Sequence, residues 1–255
     1  MKRIAAALTF FTRLPVWRWV DIPQSYYSTV VVYWSLIGWI TGGLTAILLW
    51  LAAQVMPMLS AVIFALTGRT LLTGALHEDG LADFCDGFGG GHSKEKILTI
   101  MKDSHIGTYG VIGLILYYLW FVSLVSSLPL WLAVMGIFAS DAVAKACASQ
   151  LTNILPYARP EGAKNKISYS RMTLSQILIV GISGLLPLTL LAYLDIFFVL
   201  SAIMPVVMVG SLIVLMRHRL GGYTGDCCGA VCLLCELSML TGITIIYNLV
   251  SSPSI

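Results

Sequence analysis

LSQILIVGISGLLPLTLLAYL, residues 174–194, carries no charged side chain from end to end. A helix rises 1.5 Å per residue, so a run of this length reaches across a hydrocarbon layer roughly 30 Å thick. Lipid offers no partner to backbone N–H and C=O groups, and a helix satisfies them within the segment. Similar runs recur near residues 28–53, 58–76, 107–128, 130–150, 196–216 and 227–249. The pattern predicts an all-α, polytopic membrane helical bundle of about seven transmembrane helices, one domain over residues 1–255. Composition agrees: 58% of residues are hydrophobic and 11% charged, with mean hydropathy +0.89, whereas soluble domains carry roughly 25% charge.

The basic residues set the orientation. Connections after the first, third and fifth runs hold no Lys or Arg. Lys2, Arg3, Arg13 and Arg18 precede the first run, and Lys94, Lys96 and Lys102 follow the second. Arg159, Lys164, Lys166 and Arg171 follow the fourth, and Arg217 and Arg219 the sixth. Positive segments stay inside, so these connections and the amino terminus are expected in the cytoplasm and the carboxyl terminus outside. Met1–Phe11 starts basic and apolar like a signal peptide, but Arg13, Pro15, Trp17 and Arg18 follow without a small-residue cleavage pattern. The expected role is a retained interfacial segment.

Chemistry concentrates on that same face. In His77-Glu-Asp-Gly-Leu-Ala-Asp-Phe-Cys-Asp-Gly87, four of the 12 acidic residues fall close together. Asp79, Asp83 and Asp86 stand at i, i+4 and i+7, one face of a helix. Three adjacent carboxylates repel unless a cation holds them, and Mg²⁺ takes one or two carboxylates plus waters and phosphate oxygens. A solvated acidic face is the alternative. Gly80 and Gly87 weaken such a helix, which argues that it is built for a site.

Further candidates surround it. Gly87-Phe-Gly-Gly-Gly-His-Ser-Lys-Glu-Lys96 reads as a glycine-rich loop entering a short helix with Ser93 as N-cap. It is either a phosphate cradle or a connector. Asp103 is a fourth candidate ligand, or a surface acid beside Lys102. Asp226, in Leu220-Gly-Gly-Tyr-Thr-Gly-Asp226, is a distal ligand or base, or a helix cap. Arg159, in Leu155-Pro-Tyr-Ala-Arg-Pro-Glu-Gly162, suits phosphate or an anionic lipid headgroup. Within the spans, Asp141 and Lys145 are placed to neutralise each other, and Arg69 either snorkels or lines a polar cavity. Cys227, Cys228, Cys232 and Cys235 read as packing groups rather than metal ligands.

These motifs, in this order, resemble the cobalamin synthase (adenosylcobinamide-GDP ribazoletransferase) family. The resemblance rests on Arg13-Leu-Pro-Val16, Leu36-Ile-Gly38, Thr73 through Gly87, Ile100-Met-Lys-Asp-Ser104, Gly107-Thr-Tyr-Gly110, Pro156 through Gly162 and Gly221 through Asp226. Glu78 and His105 depart from the pattern, and Glu78 is not carried as a ligand. The resemblance implies an inner-membrane, Mg²⁺-dependent transferase of the EC 2.7.8 type with its active site on the cytoplasmic face. Adenosylcobinamide-GDP and α-ribazole, or its 5′-phosphate, are the implied substrates and GMP the leaving product, with membrane lipid the other partner and no nucleic acid. Asp79, Asp83, Asp86 and Asp103 are then the metal ligands, and Asp86, His77 and Asp226 the candidate proton acceptors. Lys102, Arg159, Gly107, Thr108, Gly222 and Thr224 are expected at the substrate. The acid spacing is also similar to that of CDP-alcohol phosphotransferases, which makes a lipid-headgroup transferase the enzymatic rival. A cation transporter is the rival outside enzymology.

Overall fold

The computed structural model describes residues 2–159 and 169–251. Glu161, Lys164 and Lys166, three of the charged positions singled out above, lie outside the described residues. Among those described there is no β-strand, only an isolated bridge between Tyr157 and Tyr223. Six helical stretches are long and apolar enough to cross a membrane: Gln24–Ala52, Thr108–Ser126, Leu130–Ile154, Leu174–Leu194, Ile196–Arg219 and Gly225–Ser251. They contain α2 (Trp34–Ala52), α6 (Thr108–Ser126), α7 (Leu130–Ser149), α8 (Leu151–Ile154), α9 (Leu174–Leu185), α10 (Leu188–Leu194), α11 (Ile203–Arg219) and α12 (Gly225–Ser251). Turns of 3₁₀-helix lead into α2 and α11.

The second predicted span differs from expectation. It ends at Thr73, as α3 (Met58–Thr73), and the chain turns through 91° into α4 (Leu76–Gly90). Gly74 and Ala75 make the turn in the left-handed region, with φ of 67° and 58°. A side chain on Gly74 would meet the Arg13 guanidinium, whose Nε lies 2.0 Å from where a Cβ would be. Ala75 has a Cβ and adopts this conformation at a cost of roughly 1–2 kcal/mol, so the corner is strained as well as tight. We read α4 as running outside the spans, against α6 and α12. The short helix α5 (Lys94–Ile100) follows it, with Ser93 as the expected N-cap, accepting from Lys96 N at 3.2 Å.

Small residues let the helices meet. Added Cβ atoms would lie 2.8 Å from Ala142 Cα at Gly38 and 3.0 Å from Asp141 Cβ at Gly42, so α2 presses its backbone onto α7 through a small-xxx-small pair. At that crossing Asp141 accepts from Lys145 and from Thr41, the self-neutralised pair read from the sequence. Pro187, between α9 and α10, has no N–H for the carbonyl of Ser183. The indole of Trp39 supplies the donor instead, at 2.7 Å. All four cysteines of α12 are buried and free, as packing groups should be.

Arg69 neither snorkels nor faces a cavity. It is buried and pairs with Glu236 of α12 at 2.5 Å, donates to the Tyr117 hydroxyl of α6 at 2.7 Å, and lies 5.1 Å over the Phe121 ring. Tyr117 closes the triangle by donating to Glu236 at 3.0 Å. The sequence held the partner in view, since Glu236 is the only charged residue within 227–249. An acid alone in an apolar span needs a cation, and Arg69 was the cation without an acid.

Candidate active site

Two glycines set the site. Where α4 crosses α12, a Cβ on Gly80 would lie 2.9 Å from the carbonyl oxygen of Asp226, and one on Gly229 would lie 3.1 Å from that of His77. The two backbones touch here, so Asp79 and Asp83, flanking Gly80 on α4, come up against Asp226 in the first turn of α12. Asp79 is exposed and Asp83 half-buried. Burial, then the charges of Asp226, Asp79 and Asp86, push the Asp83 carboxyl up to about 7 against the opposing pull of Arg159. A carboxyl held that high by its neighbours' charge is one that a bound cation would relieve.

Two distant motifs are joined to form the far wall. Ala158 N donates to Tyr223 O and Tyr223 N to Pro156 O, each at 2.9 Å. A Cβ on Gly222 would lie 2.3 Å from Pro156 O, so this pairing requires glycine. It delivers Arg159 to Asp226, with Nη2 donating to Oδ2 at 2.9 Å, while the buried Arg159 Nε has no partner among the described residues. Thr224 is fully buried. Its hydroxyl donates to Asp226 Oδ2 at 3.2 Å and accepts from Cys227 N at 3.3 Å, capping α12. Both donors to Asp226 act on Oδ2, which leaves Oδ1 uncommitted among the described residues.

A cavity of about 210 Å³ opens beside this junction, with Asp79 and Asp226 in its lining. Its other walls come from α1 (Lys2–Phe11), α2 and α4. The amino-terminal segment is therefore a helix packed on the bundle, with Ala5, Ala6, Ala7 and Phe11 buried. Phe10, Phe11, Trp34 and Tyr169 line the cavity and were missed in the sequence. No spacing marks them, because they converge only when α1 packs on the 3₁₀ turns before α2 and brings Phe11 to the His77 ring.

A family model described as Cobalamin-5-phosphate synthase matches residues 3–244. The chain belongs to that family. It is 38% identical over 254 residues to the adenosylcobinamide-GDP ribazoletransferase of Leptothrix cholodnii, covering 92% of each chain. It is 35% identical over 238 residues to the protein of that name from Shewanella oneidensis, covering 91% of this chain and 89% of the relative. No solved structure matches. Family membership favours the main sequence reading over the lipid-headgroup transferase and the transporter.

Within this family member the predicted site residues separate into groups. Asp79, Asp83, Asp226 and Arg159 converge at one end of the bundle. Asp86 continues the row but already has work: it is buried, and its two oxygens accept from Gly107 N at 2.7 Å and Gly110 N at 2.9 Å. It thereby tethers the start of α6, and Gly107 serves that tether. Asp103 does not join the row. It is exposed and takes two hydrogen bonds from His105, at 2.7 Å to Nδ1 and 3.1 Å to the backbone N–H, which hold its carboxyl below the usual range. Lys102 and Thr108 are exposed on the same surface. Gly222 and Thr224, expected at the substrate, are committed to the loop junction and the α12 cap. His77 is buried in the cavity wall, and its Nε2 has no partner among the described residues.

The glycine-rich loop is corrected outright, because α4 runs on through Gly90. A Cβ on Gly87 would lie 2.5 Å from Met101 Cγ, and one on Gly89 would lie 2.5 Å from the Tyr109 ring. These glycines let the segments that follow α5 and begin α6 close onto α4, and their N–H groups are inside the helix rather than free for phosphate.

Proposed function

We propose that this chain is an adenosylcobinamide-GDP ribazoletransferase. The reading is carried by one observation: in a chain matching relatives of that name over nine-tenths of its length, Asp79 and Asp83 meet Asp226 and Arg159 beside a cavity. The reaction joins a ribose hydroxyl oxygen of the ribazole, one left free when the 5′ position carries phosphate, to the cobinamide-proximal phosphorus of adenosylcobinamide-GDP. The P–O bond to GMP breaks, GMP departs with its electron pair, and the hydroxyl proton goes to a base. Such transfers depend on positioning and on neutralising phosphate charge.

The donor set suits Mg²⁺, a hard cation that takes carboxylate oxygens and completes its shell with water and phosphate. Among the described residues no three acidic, His or Cys side chains already converge tightly enough to hold a metal by themselves, so the ion proposed here would need substrate oxygens and water to complete its shell. Asp79 and Asp83 would hold it, with Asp226 across the α4–α12 crossing. When bound, Mg²⁺ supplies charge neutralisation at the pyrophosphate. Arg159, through its unpartnered Nε, adds a donor for a phosphate oxygen. Asp226 Oδ1 is our candidate for the proton acceptor. Asp86 has both oxygens engaged, and His77 is enclosed among aromatic rings.

Membranes holding the protein are expected to release GMP from adenosylcobinamide-GDP plus α-ribazole and to stop when EDTA exceeds the divalent metal. Undiminished GMP release in excess chelator would remove Mg²⁺ from the scheme. The site is proposed to face the cytoplasm of the inner membrane. Arg13, Arg159, Arg219 and the α3–α4 corner share one end of the bundle with the acids, through contacts at Gly74, Asp226 and Gly91, and a basic end stays inside. With α3 taken as a seventh crossing beside the six long apolar stretches, alkaline phosphatase fused after Ile255 is expected to be active outside, and an inactive fusion would remove that crossing.

A further inference from the structure

The cavity beside the acids has a shape and lining that the metal chemistry does not use. The Phe11, Trp34 and His77 rings lie nearly parallel. Phe11 and Trp34 are 4.8 Å apart at 6°, Trp34 and His77 5.6 Å at 15°, and Phe11 and His77 6.3 Å at 12°. All three line the cavity. A set of aligned ring faces favours another flat aromatic ring, stacked offset on them. His77 is 4% exposed, with Nε2 unpartnered among the described residues. Native buried polar atoms rarely stay unpaired without a reason.

Resting on the transferase reading above, we propose that this cavity binds the planar benzimidazole base of the ribazole substrate. The aligned rings would stack on it, and its sugar would extend toward Asp79 and Asp226.

The chemistry separates this base from the other flat group in the reaction, guanine. Dimethylbenzimidazole joined to ribose offers two methyl groups and one unsubstituted ring nitrogen, and otherwise hydrocarbon. Phe10, Val31, Leu76 and Cys228 complete an apolar lining that suits it, and His77 Nε2 and Trp34 Nε1, both buried without a partner among the described residues, are the ring nitrogens able to meet that nitrogen. Guanine presents a row of donors and acceptors, several of which would be buried unpaired against such walls. The corrin ring is too large for a cavity of about 210 Å³. The two polar residues at the α4–α12 crossing, Asp79 and Asp226, belong to the acid row. A base inserted here therefore brings its ribose to the carboxylate assigned to accept the hydroxyl proton. Phe10 and Phe11 of α1 border the cavity, which gives a helix outside the spans a role at the site.

The test varies the two substrates independently. Phe11→Leu keeps an apolar group but removes one aromatic face, and Leu76→Trp narrows the cavity from a position 39% exposed. Each is expected to raise KM for α-ribazole about tenfold while KM for adenosylcobinamide-GDP stays within about twofold. A second readout does not need turnover. Leu76→Cys should react with a maleimide above the wild-type background, α-ribazole should block that reaction, and GMP should not. An unchanged α-ribazole KM in both variants, or protection by GMP in place of α-ribazole, overturns the subsite. GMP release with no protection of Leu76→Cys by α-ribazole sinks the subsite alone, whereas no turnover in the parent chain together with no protection of Leu76→Cys sinks the proposed function.

Discussion

Asp83→Asn is expected to lose GMP release by a factor on the order of 10³ while the protein melts no lower than its parent. The two halves of this result have one cause. Asp83 is half-buried among Asp79, Asp86 and Asp226, and its carboxyl is pushed up to about 7 by burial and their charge. Folding places a negative charge where neighbours oppose it, so the amide removes repulsion and destabilises nothing. The same crowding is what makes the position useful, because a cation bound there gains from every carboxylate in the row. Activity is lost and stability is kept or raised, as for residues held at a functional site against their own electrostatics.

Asp86→Asn, three residues on, should behave differently. Its carboxylate accepts from Gly107 and Gly110 at the start of α6. An amide keeps one acceptor oxygen and loses the charge that opposes the positive end of a helix dipole. A fall in melting temperature is expected here, at a cost of about 1–3 kcal/mol. Measuring GMP release and thermal unfolding on both variants in detergent separates the roles. An active Asp83→Asn protein removes Asp83 from the site, and a clear drop in its melting temperature defeats the repulsion argument.

Glu236→Ala should be the most destabilising single change in the bundle, and Arg69→Ala nearly as harmful. Each leaves its partner's charge buried, which costs about 3–5 kcal/mol. Arg69 and Glu236 are 3% and 1% exposed, and they link α3 to α12 with Tyr117 of α6 in the triangle. Replacing both with apolar residues of similar volume, Arg69→Met with Glu236→Met, should recover most of the loss. The desolvation of two charges is then removed along with their attraction. Tyr117 keeps its hydroxyl without either partner, so recovery should stop short by about 1–3 kcal/mol. Detergent-solubilised yield and melting temperature of the two single variants and the double variant make a cycle. A double variant as unstable as the singles would mean that the ions do more than neutralise each other, and harmless singles would mean that the pair is not buried in the folded protein.

The residues differ in how plainly their roles can be read before folding. Apolar runs disclosed the spans, because in lipid every backbone group must be satisfied inside its own segment and length alone identifies a helix that crosses. The acid face of α4 was legible through the i, i+4, i+7 spacing of Asp79, Asp83 and Asp86, and the Asp141/Lys145 pair through i, i+4. Family membership was legible in the motifs, since they recur in order along one chain. All of these are periodic or collinear signals.

What escaped was every relation made across the bundle. Gly87 and Gly89 read as part of a loop, either a phosphate cradle or a connector, because composition cannot say which neighbour a glycine admits; Met101 and Tyr109 decide that. Asp86 and Asp103 both looked like ligands, and only the position of the α6 start and the His105 ring assigned them other partners. Phe11, Trp34 and His77 share no spacing, yet they form one stack because α1 packs where α2 begins and the end of α1 meets the start of α4 there. Sequence by itself determined the helices, their membrane class, the family and the residue types of the site, since these follow from local periodicity and from motif order. Tertiary structure alone decided which carboxylates share a site, because charge and contact depend on distance in space and Gly80 and Gly229 set that distance by letting two backbones touch.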